Sequence, residues 1–231
     1  MRYLLLLLLL FPLVATAQDK SAKRTCRVVF LNPPANAPKK LYLFDGTTSQ
    51  EVELPKMNFS DVYVVANGDV TLRLLTAPVT KVEQVPAGAP AGKVAAGIED
   101  FYLIASSDPK NQVVPVQLQV IDASVQKFRK GQMMWYNLTT SAVGGQLGSQ
   151  KLALKAQSRA VTDAPASGRE PYDVSISYSL PNDKRLYPIC QTKWEHDPDT
   201  RTVVFLYGGA NGATPELIGF KDFRAPVEKS Q

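Results

Sequence analysis

A single histidine, His196, is the only residue through which this chain could build a Ser-His-Asp or Cys-His catalytic group. It stands in the stretch Trp194-Glu-His-Asp-Pro-Asp-Thr200, between two apolar segments. Asp-Pro-Asp-Thr is also typical of the loops that join two strands of a hairpin. We therefore expect His196 in an acidic turn, and a hydrolase that uses it is the last of our three functional hypotheses.

The same turn offers oxygen and imidazole ligands for a cation, from Glu195, His196, Asp197 and Asp199. A calcium loop needs six to eight oxygens, and it usually has a glycine at its tightest point and a bidentate glutamate downstream. Neither feature stands at a recognised spacing here. The sequence therefore predicts an acidic turn with no metal, and no motif in it predicts a cofactor.

Aromatic residues give the chain a second kind of chemistry, because flat rings can stack on the faces of sugars. Seven rings could serve on such a surface, but aromatics also fill the cores of β-sandwiches, and we expect at least half of the seven to be core. The seven are Trp135, Trp194, Tyr136, Tyr172, Tyr178, Tyr187 and Tyr207. The three with the more surface-prone surroundings are the candidates for ligand stacking: Tyr136, Tyr172 and Tyr207.

Two cysteines, Cys26 and Cys190, both lie in strand-like segments. In an exported chain they could form a disulfide that joins the first strand to a late one. They could equally remain two buried thiols that pack as small apolar side chains. The sequence leaves both alternatives open.

The N-terminal residues have the three-part pattern of a secretory signal. Arg2 precedes an apolar run from Leu4 to Val14, and Ala15-Thr16-Ala17 then supplies the small residues of a cleavage site. The apolar run is shorter than the roughly 20 residues that a membrane-spanning helix needs. We expect residues 1–17 to be a signal peptide, the mature chain to have no transmembrane segment, and the protein to be secreted or periplasmic.

The formal net charge is +5, and the basic residues are scattered along the chain. A nucleic-acid-binding protein is expected to show a basic stripe with interleaved aromatic residues. We therefore expect no nucleic-acid partner, and we expect the basic side chains to be solvated.

Short runs rich in β-branched and aromatic residues recur along the chain, separated by turn sequences such as Asp45-Gly46 and Asn67-Gly68. Gly144-Gly145 is interpreted as a further connection. No long helix alternates with these runs, so the pattern predicts an all-β fold of two β-sandwich units in tandem. Residues 76–97 are rich in Ala, Pro and Gly and are interpreted as a linker. The predicted units are therefore 18–90 and 91–224, followed by a tail at 225–231.

The first half resembles a family of secreted bacterial immunoglobulin-like β-sandwich domains of unknown function. The resemblance lies in the opening strand and turn Arg27–Pro38, the hairpin Leu41–Gly46, and Tyr63 and Gly68 ahead of Val70-Thr-Leu72. These match the family pattern of an "RVVHASPDAP" strand, a "VDVYVDG" hairpin and a later "AG.YTL" hairpin.

A weaker echo of the same opening occurs at Met134–Thr139 and Gly145–Gly148. The chain departs from the pattern at Phe30-Leu31-Asn32, where the family favours a triplet containing His or Asn. The resemblance implies an immunoglobulin-like sandwich on an exported bacterial protein, and it implies no catalytic residues.

These observations favour an exported, non-catalytic structural or protein-interaction module of the bacterial cell envelope. The alternative is a carbohydrate- or polymer-binding module that uses exposed Tyr and Trp. The partner is accordingly an unknown envelope protein or a polysaccharide. A protein-binding module should show an open sheet edge or an apolar patch, and a sugar binder should show two or three coplanar aromatics on one exposed face.

Overall fold

A computed structural model describes residues 23–180, 183, 185–208 and 214–223. The predicted signal peptide (1–17) and the predicted tail (225–231) lie outside the described residues. A 3-10 turn at Val82–Gln84 is the one helical element among the described residues. The strands are β1 (Thr25–Leu31), β2 (Lys40–Phe44), β3 (Ser49–Glu53), β4 (Tyr63–Val64), β5 (Val70–Leu75), β6 (Ala91–Val94), β7 (Asp100–Ser107), β8 (Val116–Asp122), β9 (Met133–Asn137), β10 (Ala142–Leu147), β11 (Gln150–Leu154), β12 (Ser158–Thr162), β13 (Pro171–Ser179), β14 (Tyr187–Glu195), β15 (Thr200–Gly208) and β16 (Pro215–Phe223).

The strands form four sheets of four, two in each half of the chain. Sheet 1 has the order β3-β2-β5-β6 and sheet 2 the order β4-β1-β7-β8. Sheet 3 has the order β12-β9-β15-β16 and sheet 4 the order β11-β10-β13-β14, so the second half repeats the strand order of the first. The predicted all-β fold is confirmed, and the arrangement fits two β-sandwich units. An immunoglobulin-like topology stays a prediction.

The boundary between the units is not near residue 90. Strands β6, β7 and β8 all follow that position, yet β6 pairs with β5, and β7 pairs in parallel with β1. The second unit begins with β9, which pairs in parallel with β15. The junction therefore lies between β8 and β9, at 123–132. The predicted linker contains a strand, because Ala91–Val94 pairs with Val70–Arg73 in spite of its small residues.

The four sheets are stacked in the order 1, 2, 3, 4, with an apolar layer between each neighbouring pair. One layer lies between sheets 1 and 2, a second between sheets 2 and 3, and a third between sheets 3 and 4. Successive side chains of a strand point to opposite faces, so the strands of the inner sheets serve two layers. In β15, Val203 and Phe205 face the layer between the units, and Val204 and Leu206 face the core of the second unit.

A buried charge network joins the two units across the layer between sheets 2 and 3. The carboxylate of Asp222 on β16 is fully buried and accepts hydrogen bonds from Arg201 at 2.7 Å and from the Tyr102 hydroxyl at 2.5 Å. Arg27 on β1 forms an ion pair with it at 2.8 Å. Arg201 also donates to Asp100 on β7 at 3.2 Å. Because Arg27, Asp100 and Tyr102 belong to the first unit and Arg201 and Asp222 to the second, the network fixes one unit against the other.

The expectation that basic side chains are solvated is wrong for Arg24, which is 2% exposed. Its guanidinium makes five hydrogen bonds of 2.6–3.0 Å, all to backbone carbonyls: those of Ala66, Gly68, Ala95, Ala96 and Ile98. Arg24 therefore joins the loop before β5 to the loop before β7. Its guanidinium is hydrogen-bonded to backbone carbonyl oxygens, and the sequence gives no sign of these partners because every residue has a backbone carbonyl.

Candidate functional site: the open edge of the second unit

A groove of about 470 Å³ opens between the last strands of sheets 3 and 4. Strand β16 ends sheet 3 and β14 ends sheet 4, and each pairs with a strand on one side only in the described part of the chain. The lining residues come from both sheets: Met133, Tyr172, Lys193, Trp194, Glu195, Thr202, Leu217, Gly219 and Lys221. We call this region the β14/β16 groove.

Trp194 supplies the aromatic surface of the groove. Its ring stacks on the fully buried Trp135, with centroids 6.1 Å apart and planes at 11°. Tyr172, the cross-strand partner of Trp194, meets it edge-on, with centroids 6.4 Å apart and planes at 83°. Trp194 itself is only partly buried. The second core therefore reaches solvent at this edge through one indole ring.

Polar side chains flank the indole. Lys193 and Glu195 lie beside Trp194 on β14, and Lys221 lies on β16; all three are exposed. Lys193 lies 3.7 Å from Asp173 in an ion pair of two exposed side chains, which is a weak interaction. Gly219 leaves the middle of the β16 wall open, because a Cβ built there would lie 3.9 Å from its nearest neighbours.

The corresponding edge of the first unit is closed. There β6 ends sheet 1 and β8 ends sheet 2, in the positions that β14 and β16 hold in the second unit. A Cβ built on Gly92 of β6 would lie 3.0 Å from Cγ2 of Val120 and 3.7 Å from Cβ of Leu118, both on β8. The two strands thus pack directly against each other, and the glycine allows that approach.

His196 lies just beyond β14 and is 5% exposed. Its buried Nε2 atom has no hydrogen-bond partner among the described residues. Burial is the main reason that its pKa is lowered, and Lys221 lowers it further, whereas Asp197 and Glu170 act to raise it. The described residues contain no group of three or more His, Cys, Asp or Glu that could hold a metal ion.

The two cysteines are both free. Cys26 lies in the core between sheets 1 and 2, whereas Cys190 packs against the core between sheets 3 and 4. The alternative of a disulfide is therefore wrong, because each thiol belongs to a different unit. Burial and the nearby Asp100 raise the pKa of Cys26 to about 12, so its thiol is protonated and unreactive at neutral pH.

The prediction that three tyrosines lie at the surface is wrong for Tyr136 and Tyr172, which are 5% and 8% exposed. Tyr136 belongs to the layer between the units, and Tyr172 to the second core, where burial raises its pKa to about 12. Tyr207 is half-buried beside the layer between the units. The three rings do not share one face. Sequence reasoning assigned Trp194 to the general set of aromatics and did not single it out.

No protein-family model and no curated protein matches this chain. Among the described residues, no helix has the length and the apolar character that a membrane span requires.

Proposed function

We propose that this chain is an exported, non-catalytic protein-interaction module, and that its second unit binds an extended peptide strand of an envelope protein along the β14/β16 groove. The observation that carries the proposal is the pair of unpaired edge strands with the half-buried Trp194 between them. An unpaired edge offers backbone N–H and C=O groups that an added strand can bond, and this is a common mode of peptide recognition.

The dimensions of the groove suit an extended segment. Strands β14 and β16 have nine residues each, which corresponds to about 30 Å of extended chain. Alternate side chains of an added strand would point between the sheets, toward Trp194 and Leu217. Large aromatic residues in partly desolvated positions are the usual anchors of protein interfaces. Lys193 and Lys221 favour a segment with acidic residues beside its apolar ones.

Export and the envelope location remain part of the proposal. They are supported by the signal pattern at 1–17 and by the resemblance to secreted bacterial domains.

A polysaccharide is the second candidate ligand, and the half-exposed indole of Trp194 is the observation that favours it. A stacking platform needs two or three coplanar rings on one exposed face. In the groove, however, Trp135 is buried beneath Trp194, and Tyr172 stands nearly perpendicular to it. The aromatic geometry therefore favours a peptide side chain over a sugar chain.

Selection from a library of displayed ten-residue peptides on the immobilised chain 18–231 tests this proposal. We expect the enriched peptides to alternate apolar with polar or acidic residues, because only one face of an added strand enters the groove. We also expect the variant Gly219→Leu to lose at least tenfold in affinity for these peptides, since its side chain fills the groove.

The matched control is Gly97→Leu, because Gly97 has open space around its Cβ position and lies in the first unit, away from the groove. This variant should bind the peptides as the wild type does. Peptides without alternation, or equal binding by the Gly219→Leu variant, would overturn the proposal. Retention of the chain on insoluble glycans, lost in Trp194→Ala, with no peptide enrichment would replace it with the polysaccharide candidate.

A further inference from the structure

A hollow of about 390 Å³ lies at one end of the first unit. Its floor is the end of the core between sheets 1 and 2, where Phe30 and Leu54 are 1% and 5% exposed. Its walls are the loop between β1 and β2 and the segment that follows β3. Loops at the end of a sandwich are positioned by a rigid scaffold and are frequent sites of binding. This hollow shares no lining residue with the β14/β16 groove.

Four prolines form the walls of the hollow, which we call the proline pocket: Pro33, Pro34, Pro38 and Pro55. None of the four is buried. Because proline has no backbone N–H, these walls offer little for an added β-strand to bond, in contrast to the β14/β16 groove. Proline rings do pack against aromatic rings, as in the aromatic grooves that bind proline-rich segments. The walls therefore suit the ring of a small aromatic ligand.

Backbone hydrogen bonds fix the walls of the pocket against its floor. The N–H of Leu54 donates to the carbonyl of Lys39 at 2.8 Å, and the N–H of Phe30 donates to the carbonyl of Pro55 at 2.8 Å. The proline rings also fix the φ angles of their own residues. A pocket that is formed in advance loses little conformational entropy on binding, which favours affinity for a small ligand.

The rim of the pocket carries an excess of positive charge. The described lining residues include one carboxylate, that of Glu53, and three lysines: Lys39, Lys40 and Lys56. Lys40 pairs with Glu51 at 2.9 Å and lies 3.8 Å from Glu53. Lys39 and Lys56 are exposed and have no carboxylate within ion-pair distance among the described residues. Two such ammonium groups beside an apolar floor favour a ligand that joins an anionic group to an apolar body.

The corresponding end of the second unit is built differently. There the β9–β10 loop has four residues, 138–141, whereas the β1–β2 loop has eight, 32–39. The side-chain amide of Asn137 donates to the carbonyl oxygens of Ser141 and Lys155, at 2.8 Å each, and joins the short loop directly to the β11–β12 loop. The shared strand order therefore does not by itself create the proline pocket. The longer, proline-rich loop of the first unit creates it.

We propose that the proline pocket binds a small aromatic carboxylate. The aromatic ring packs between the proline rings on the floor formed by Phe30 and Leu54, and the ammonium groups of Lys39 and Lys56 bind the carboxylate. A lysine ammonium is also attracted to the face of an aromatic ring. The binding is non-covalent, and it is independent of the peptide binding proposed for the β14/β16 groove.

Calorimetric titration of the chain 18–231 with 2-naphthoate, and with the neutral 2-naphthamide, tests this assignment. The two probes share one ring system and differ in the charge of the attached group. We expect the acid to bind about tenfold more tightly than the amide, since two ammonium groups contact its carboxylate. The double variant Lys39→Gln/Lys56→Gln should bind the two probes equally.

The matched control is the double variant Lys93→Gln/Lys151→Gln. It removes the same charge from exposed positions on β6 and β11 that do not line the pocket. This variant should keep the preference for the acid. Methyl NMR locates the bound naphthoate: we expect shift changes for Ala37 and Leu54 in the proline pocket, and none for Leu217 in the β14/β16 groove.

Equal binding of acid and amide by the wild type, an equal loss of the preference in both double variants, or shift changes confined to the β14/β16 groove would overturn the assignment. Decanoate, a carboxylate without a ring, is the third probe. Binding of decanoate as tightly as naphthoate would replace the aromatic ligand with an aliphatic acid. Binding of none of the three probes would overturn the proposal for this pocket and would leave the peptide proposal for the other groove standing.

Discussion

The two units have the same strand order, yet one edge of the sandwich is closed in the first unit and open in the second. At the closed edge, β6 has four residues, and Gly92 lets it pack against Val120 and Leu118. At the open edge, β14 has nine residues, and Trp194 stands in the gap between the sheets. Because the topology is the same, the side chains at the edge decide whether that edge of the sandwich is closed or open.

The open edge is also the less stable arrangement, since a partly exposed indole forgoes apolar burial that a closed edge would provide. Natural proteins usually protect such edges from pairing with other chains. An edge left open beside a half-buried tryptophan is the feature on which the proposed binding role depends.

The comparison of the two edges assumes that the two units pack against each other in one stack. Removal of the buried Asp222 carboxylate tests this assumption, and of our predictions it has the largest expected effect on stability. We expect Asp222→Ala to lower the free energy of unfolding by about 3–5 kcal/mol, because it leaves Arg27 and Arg201 without their shared anion in a buried site. Denaturant unfolding measures this loss. Asp173→Ala, which removes one side of an exposed ion pair, should cost less than about 1 kcal/mol. Similar losses in both variants would contradict the role given to the network.

Substitution of leucine for Gly92 at the closed edge and for Gly219 at the open edge tests the difference between the edges directly. The expected effect on stability is intermediate in size. Gly92→Leu should lower the free energy of unfolding by about 1–3 kcal/mol, since its side chain must displace Val120. Gly219→Leu should be close to neutral in stability, because its side chain enters open space. Thermal unfolding of the two variants side by side distinguishes them. If Gly219→Leu is the more damaging change, the second edge is not open in solution.

The β2–β3 hairpin of the first unit and the β10–β11 hairpin of the second should differ in their stability at acid pH. Of our predictions this has the smallest expected effect. Asp45 directly follows β2 and accepts hydrogen bonds from the backbone N–H groups of Thr47, Thr48 and Ala66. Burial is the largest single influence and acts to raise the pKa of Asp45, but the hydrogen bonds together lower it. The turn between β10 and β11 uses Gly148 at φ +57° and has no such carboxylate.

Because the folded pKa of Asp45 lies below the unfolded value of about 3.9, its contribution is complete above that pH and is lost as pH falls through the folded pKa. We expect Asp45→Asn to cost about 1 kcal/mol at pH 7 and much less at pH 2.5, as measured by urea unfolding at each pH. A cost that does not change with pH would show that the charge of Asp45 has no part in the hairpin.

The strands were the part of this fold that sequence patterns predicted well. The turn at Asp45-Gly46 correctly indicated the β2–β3 hairpin, because its signal is local. Gly144-Gly145 was wrongly interpreted as a connection and lies within β10. A Cβ on Gly145 would lie 2.0 Å from the Ser175 carbonyl oxygen, so the glycine serves a close approach between strands that only the tertiary structure reveals.

The candidate sites could not have been found from the sequence, because each is formed by residues distant along the chain. Trp194 and Leu217 meet only after β14 and β16 have become the ends of different sheets. Tyr136 was selected for an exposed ring, and the structure buries that ring in the layer between the units. Local composition predicts strands and turns. Whether a side chain is exposed at a sheet edge depends instead on which strands pair with each other, and local composition does not give that.

Photo-cross-linking in the native envelope tests the central claim most directly. A photoreactive phenylalanine analogue is placed at Lys193 on β14 or, as the matched position, at Lys93 on β6; both side chains are exposed on edge strands of corresponding sheets. We predict a reproducible cross-link from position 193 to one protein, mapped to an extended segment of it, and none to that protein from position 93. Equal cross-links from both positions, or none from position 193, would contradict the account.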